Sequence, residues 1–167
     1  MKKLCLTTAI AFFLLLLSIE IQAKNKTADL KAAQTEVNGL MDRYANSLKS
    51  KNAKALSELL TEDGQFYGTD PTELFCKLAL VETWTQMFAD KSTDLTYALE
   101  KREIRVSPEG NSALIVEQFS LKGVTPRIPW RMVSHALKSG KSWKLDFISW
   151  NLTPRNEDIA KLNKALE

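Results

Sequence analysis

Phe66-Tyr67-Gly68-Thr69-Asp70-Pro71-Thr72-Glu73 is the stretch that orders the rest of the chain. Gln65 to Gly68 reads as a short strand. Asp70-Pro71-Thr72-Glu73 reads as a helix start, with an acid at the N-cap, proline at the first helical position and glutamate at the third. The helix that follows places Leu74, Leu78, Val81, Trp84 and Phe88 on one face and ends near Asp90. Before this stretch the apolar residues recur with a helical period. From Asp94 onward they alternate.

Upstream, Leu30, Ala33, Val37, Leu40, Met41, Tyr44 and Leu48 recur at steps of three and four, the stripe of a long amphipathic helix. Lys49 to Asn52 breaks it. Asn52 then caps a short helix carrying Leu56, Leu59 and Leu60, and Glu62-Asp63-Gly64 reads as a turn. Downstream, the alternation predicts strands at 95–106, 112–122, 128–138 and 142–151, with turns at Pro108-Glu109-Gly110, Gly123 to Pro126 and Ser139-Gly140. Residues 154–167 form a polar tail with a weak helical pattern. Helices first and an antiparallel meander after them make an α+β chain.

The N-terminus reads as an export signal over residues 1–23. Lys2 and Lys3 are followed by an apolar run from Leu4 to Ile19 and by Ile21-Gln22-Ala23, a cleavage site ending in a small residue. The run is shorter than the roughly 20 residues of a spanning helix, so the expectation is a periplasmic or extracellular protein with no membrane attachment after cleavage. Removal of the leader takes Cys5 with it and leaves Cys76 alone, without an internal disulfide. Cys76 flanks Phe75 and is expected to be a buried, inert thiol.

The net charge is +3, with lysines scattered among acids such as Glu36, Asp42, Glu58 and Asp63. There is no basic stripe with interleaved aromatics, so a nucleic-acid partner is not expected. The single histidine, His135, excludes a multi-histidine metal site. Phosphate-loop, nucleophile-elbow and Cys-x-x-Cys signatures are absent, and no cofactor is expected.

Strand parity supplies the candidate site. A turn centred near Val124 sets Glu117 opposite Arg131, which puts Ile115, Glu117, Phe119, Arg131, Val133 and His135 on one face. A three-residue turn at Ser139-Gly140-Lys141 adds Leu137, Trp143, Leu145, Phe147 and Ser149. The result is an apolar face carrying a glutamate, an arginine and a histidine. Three roles are open. Glu117 and Arg131 form a cross-strand ion pair, or Arg131 binds a polar or anionic ligand group, or Glu117 or His135 acts as a general base. Trp84, Phe88, Phe119 and Phe147 are the expected apolar walls, with Tyr67 reaching the mouth; core packing is the alternative for Trp84 and Phe88. The same parity turns Trp130, Met132, Ile148 and Trp150 outward as an apolar patch that predicts a homodimer.

The long first helix, the short helix after Lys51-Asn52, Glu62 to Asp70, the helix bearing Trp84, Arg131, Gly140 and the Trp143-Lys144-Leu145 to Ser149 ending together resemble the SnoaL-like branch of the NTF2-like (nuclear transport factor 2-like) superfamily. The resemblance covers residues 24–153. It implies a curved sheet wrapped around the long helix, a conical pocket and dimerisation through the outer face of the sheet. It implies no single activity, since such folds include isomerases, epoxide hydrolases, polyketide cyclases, dehydratases and binding modules. Asn52 and Asn151 stand where that pattern often has an aspartate and a histidine, so no particular reaction carries over. The expected function is binding of a small, partly apolar ligand. The rivals are an enzyme performing proton transfer, isomerisation or hydration, and a purely structural dimerisation module.

Overall fold

The computed structural model describes residues 26–27 and 29–167, so the expected export signal lies outside the described residues. A long helix, α1, covers 29–49, and its predicted stripe is the core. Val37, Leu40, Met41 and Tyr44 are all buried, each stabilising the fold by about 2 kcal/mol through loss of apolar surface from water. Asn52 caps α2 (Ala53–Glu58), its side-chain oxygen accepting the Ala55 N–H at 3.0 Å. Lys51, just before it, adopts a positive φ of 52° where the chain reverses.

Six strands form a single sheet: β1 (Leu60–Tyr67), β2 (Leu74–Phe75), β3 (Tyr97–Val106), β4 (Ser112–Leu121), β5 (Trp130–Ser139) and β6 (Ser142–Leu152). Their order is β2-β1-β6-β5-β4-β3, antiparallel except where β1 runs parallel to β6. A helix α3 (Lys77–Ala89) and α1 cover the inner face. The chain ends in a 3-10 turn (Asn156–Asp158) and α4 (Ile159–Ala165), whose Ile159 and Leu162 are exposed.

Two local expectations differ from the structure. Glu62-Asp63-Gly64 is a turn in the sequence reading, but it lies inside β1, where the pairing to β6 shifts between Leu60 and Gln65. The irregularity needs glycine: a Cβ on Gly64 would lie 2.5 Å from the Phe66 ring and 3.1 Å from the Asp146 carbonyl oxygen. The second concerns Asp70-Pro71-Thr72-Glu73. The reciprocal contacts of a helix start do form. Asp70 accepts the Thr72 N–H at 2.8 Å, and the Glu73 carboxylate accepts the Asp70 N–H at 3.0 Å. The backbone nevertheless turns back as a hairpin, because Leu74 and Phe75 pair with Tyr67 and Phe66. The helix starts six residues later than expected, at Lys77 and not at Pro71. Its buried face is therefore Leu80, Trp84 and Phe88 at four-residue steps, while Leu74 and Leu78 are exposed. Cys76 becomes the N-cap of α3 and is exposed, not buried.

Candidate functional site

The register of the meander decides which side chains meet. Across β4 and β5, Glu117 faces Met132 and Gln118 faces Arg131, one residue away from the expected pairing. The β4–β5 loop explains the slip. The Val124 and Thr125 N–H groups both bond to the Leu121 carbonyl, and the Thr125 hydroxyl donates to the Ile128 carbonyl at 2.9 Å and accepts the Trp130 indole N–H. This wound loop is longer by one residue on the β5 side than a turn centred at Val124. The β5–β6 hairpin closes on two residues, Gly140 (φ 60°) and Lys141, between Ser139 and Ser142. A bulge next to Asp146 then shifts the β5–β6 pairing.

A one-residue slip exchanges the two faces of a strand. Trp130, Met132, Ile148 and Trp150 therefore point inward into the core and cannot form the predicted outer patch. Arg131, His135 and Phe147 point outward, away from Glu117. Arg131 is exposed and reaches Gln118 at 3.4 Å. His135 is half-buried with its Nδ1 2.8 Å from an Asp146 carboxylate oxygen. The Phe147 ring packs on Tyr67, centroid to centroid 5.7 Å. The expected triad of Glu117, Arg131 and His135 is thus divided between the two faces of the sheet.

Glu117 is buried on the inner face and takes a different arginine. Arg102, its ladder partner on β3, donates from Nε to one carboxylate oxygen, and the Tyr97 hydroxyl donates to the other. Arg102 also reaches α1, where its Nη1 meets Asp42 at 2.7 Å and the Asn38 side-chain oxygen at 2.8 Å. Burial pushes the Glu117 carboxyl above its ordinary range despite both donors, and burial with the neighbouring Glu117 charge pushes the Tyr97 phenol up. Burial pulls on Arg102 in the opposite sense, but the Asp42 and Glu117 carboxylates outweigh it and hold the guanidinium above its usual value. The network ties α1 to β3 and β4.

Beside this network an open pocket of about 180 Å³ lies between α3 and the sheet. One face of α3 supplies Leu80, Thr83, Trp84 and Met87, and α1 supplies Tyr44 and Leu48. Phe119 and Leu121 come from β4, Trp130 from β5 and Trp150 from β6. The β1–β2 turn gives Gly68, Thr69 and Glu73, and β2 gives Phe75, with Leu95 and Val124 from loops. Gly68 has a steric reason: the Glu73 side chain lies where a Cβ on residue 68 would be. The Trp150 indole donates to the Tyr44 hydroxyl at 3.2 Å, and burial pushes the Tyr44 phenol well above its ordinary range.

Of the expected ligand-binding residues, Trp84 and Phe119 line this pocket. Phe88 is core, 4 % exposed, and Tyr67, Arg131 and Phe147 belong to the outer face. Sequence reasoning missed Tyr44, Glu73, Trp130 and Trp150 as lining. Tyr44 was visible on the α1 stripe but assigned to packing alone, and the two tryptophans were lost to the register slip. A groove outside the pocket has Arg43, Ser47, Ser50, Asn52 and Lys144 around it, together with Leu59 and Trp143. Among the described residues, no group of three His, Cys, Asp or Glu side chains is placed to hold a metal ion, and no helix is long and apolar enough to cross a membrane.

Known proteins agree on the fold. The backbone is similar to an NTF2-like protein of unknown function from Pseudomonas putida KT2440, with a TM-score of 0.64 at 14 % identity, covering 76 % of this chain and 91 % of that one. It is equally similar to an uncharacterised protein with a cystatin-like fold from Caulobacter vibrioides, with a TM-score of 0.64 at 18 % identity over 81 % of this chain and 98 % of that one. An NTF2-like protein from Cytophaga hutchinsonii gives 0.60 at 15 % identity, over 72 % and 98 %. No curated protein sequence matches the chain. A family model described as the SnoaL-like domain matches residues 37–150. That span runs from the buried face of α1 through Trp150 and so includes nearly all of the pocket. The chain belongs to the SnoaL-like family, and its fold is that of the NTF2-like proteins it resembles.

Proposed function

We propose that the protein is an exported domain that holds a small, largely apolar ligand in the pocket between α3 and the sheet. The observation that carries this reading is the lining. Six aromatic rings (Tyr44, Phe75, Trp84, Phe119, Trp130 and Trp150) surround an open space of about 180 Å³ with few polar groups. A pocket of this composition leaves apolar surface wet unless a ligand covers it. Its size is below the ~300 Å³ typical of sites for drug-sized molecules, which favours a compact ligand. Binding without turnover is favoured because both Glu117 oxygens are held by Arg102 and Tyr97, and His135 is on the other side of the sheet. The leading segment from Lys2 to Ala23 supports export.

Native mass spectrometry of protein purified from its own source tests the reading. The expected result is a retained small molecule that is missing from Thr83→Trp, a rim substitution that fills the mouth. An unliganded wild type that also fails to take up small apolar compounds would overturn it.

The dimer expected from the sequence moves to different residues. The outer face carries a row of ladder partners, Leu74, Tyr67, Ser149, Val133 and Val116, with Phe147 beside it. Leu74 is 61 % exposed and Val133 and Phe147 are half-buried. A second copy, related by a two-fold axis, covers this apolar row.

A further inference from the structure

We propose that the pocket selects a cation, and specifically a small methylated ammonium group. The inference rests on the reading of the pocket as a ligand site and adds the charge of the ligand. Two independent features point to it.

The first is the arrangement of the rings. Trp84 meets Trp150 at 81° and Tyr44 at 66°, each pair with centroids 6.3 Å apart. In such edge-to-face pairs each ring braces its neighbour, and with Phe75, Phe119 and Trp130 they make the wall of the pocket aromatic. Each face carries the negative lobe of the ring quadrupole, which attracts a cation over the ring. A methylated ammonium suits such walls because its methyl groups also bury apolar surface, whereas a primary ammonium would lose hydrogen bonds to water that no ring replaces.

The second is the charge balance. The pocket wall includes a carboxylate, Glu73, and no Lys, Arg or His. Glu73 is half-buried. One of its oxygens accepts the Asp70 N–H, and no cation lies within ion-pair distance of it among the described residues. A cation bound at this wall would gain Coulomb attraction to Glu73 that a neutral ligand would not. Anionic ligands are disfavoured by the same group. Arg131, the cation once expected to receive an anion here, is on the far face of the sheet.

The test is calorimetric titration of the full chain with choline and with 3,3-dimethylbutan-1-ol, its uncharged isostere. Choline is expected to bind at least about fivefold more tightly, in line with a cation held over aromatic faces beside a carboxylate. Glu73→Gln is expected to weaken choline about fivefold and to leave the uncharged isostere unchanged. Equal or tighter binding of the isostere would overturn the cation inference while leaving an apolar pocket in place. Choline affinity unmoved by Glu73→Gln would overturn the role of Glu73 and with it the charge argument. Binding of neither compound would overturn both this inference and the ligand-site reading beneath it.

Discussion

Glu117 pairs with Arg102 across the β3–β4 ladder, not with Arg131 on β5, and the two arginines stand on opposite faces of one sheet. Arg102 is 8 % exposed and is the cation nearest to a buried acid, so the pair is an internal tie between strand and helix.

Removing that arginine strands the acid. Arg102→Met is expected to cost about 3 kcal/mol or more at neutral pH, the range for breaking a buried ion pair. The pH dependence has a definite sign. Burial raises the folded pKa of Glu117 above the ordinary 4.5. Its contribution to stability is therefore complete below the unfolded value and is lost as pH rises through the folded one. Without Arg102 the folded value climbs further, so the deficit of the variant widens from about pH 4.5 toward neutrality. Urea unfolding of both proteins at several pH values measures it. A deficit that grows on acidification would contradict the assignment.

Gly64→Ala tests the close approach in β1. The added methyl would lie 2.5 Å from the Phe66 ring and 3.1 Å from the Asp146 carbonyl. Phe66 is completely buried, so the ring has little room to move. A loss of about 1–3 kcal/mol is expected, as for other overpacked sites. Thermal melting followed by circular dichroism would reveal it, and an unchanged midpoint would show that the strand relaxes freely.

Ser134 is expected to behave in the opposite way. It is buried on the inner face, and its hydroxyl has no hydrogen-bond partner among the described residues. Ser134→Ala removes an unmet polar group at the cost of one oxygen. The variant should be as stable as the parent or more stable by about 1 kcal/mol. Destabilisation beyond that would reveal a partner for the hydroxyl, such as an internal water.

The two faces of β5 give a paired experiment on assembly. Val133→Lys, on the outer row, should yield a folded monomer where the parent sediments as a dimer. Trp130→Lys, on the inner face, should instead lower the melting temperature, because a lysine would replace a ring stacked 6.1 Å from Phe119 at the pocket wall. A monomeric parent at tens of micromolar would remove the dimer proposal.

Element type was legible in this sequence because each long segment has one period. The α1 stripe from Ala33 to Leu48 and the alternation in β4 both survive into the buried set. The α+β class follows from those periods, whereas the cone was implied by the family resemblance. Facing was not legible, because it depends on single residues in turns. The wound loop held by Thr125, the two-residue hairpin at Gly140 and the bulge beside Asp146 each alter parity, and none alters the apolar pattern. β5 could be inverted without contradiction because both of its faces carry apolar groups: Met132 and Ala136 inside, Val133 and Leu137 outside. Glu117 was placed correctly inside because its neighbours Ile115 and Phe119 leave β4 no choice. Its partner was misassigned, since Arg102 lies on a strand whose register was never set. Glu73 was read as a capping residue, which it is, and that role hid its second position at the pocket mouth.

The placement of the indoles has an optical consequence. Three of the four tryptophans, Trp84, Trp130 and Trp150, border the pocket, while Trp143 is remote from it and anchored to Glu36 on α1. Intrinsic fluorescence of the unlabelled protein is therefore dominated by chromophores that a ligand would touch. Trp143→Phe would strip the spectator signal and leave an emission band whose colour and quenching by iodide follow occupancy alone. The fold has, in effect, built its dye into the wall of the site, so a library of metabolites can be screened in a cuvette without any tag.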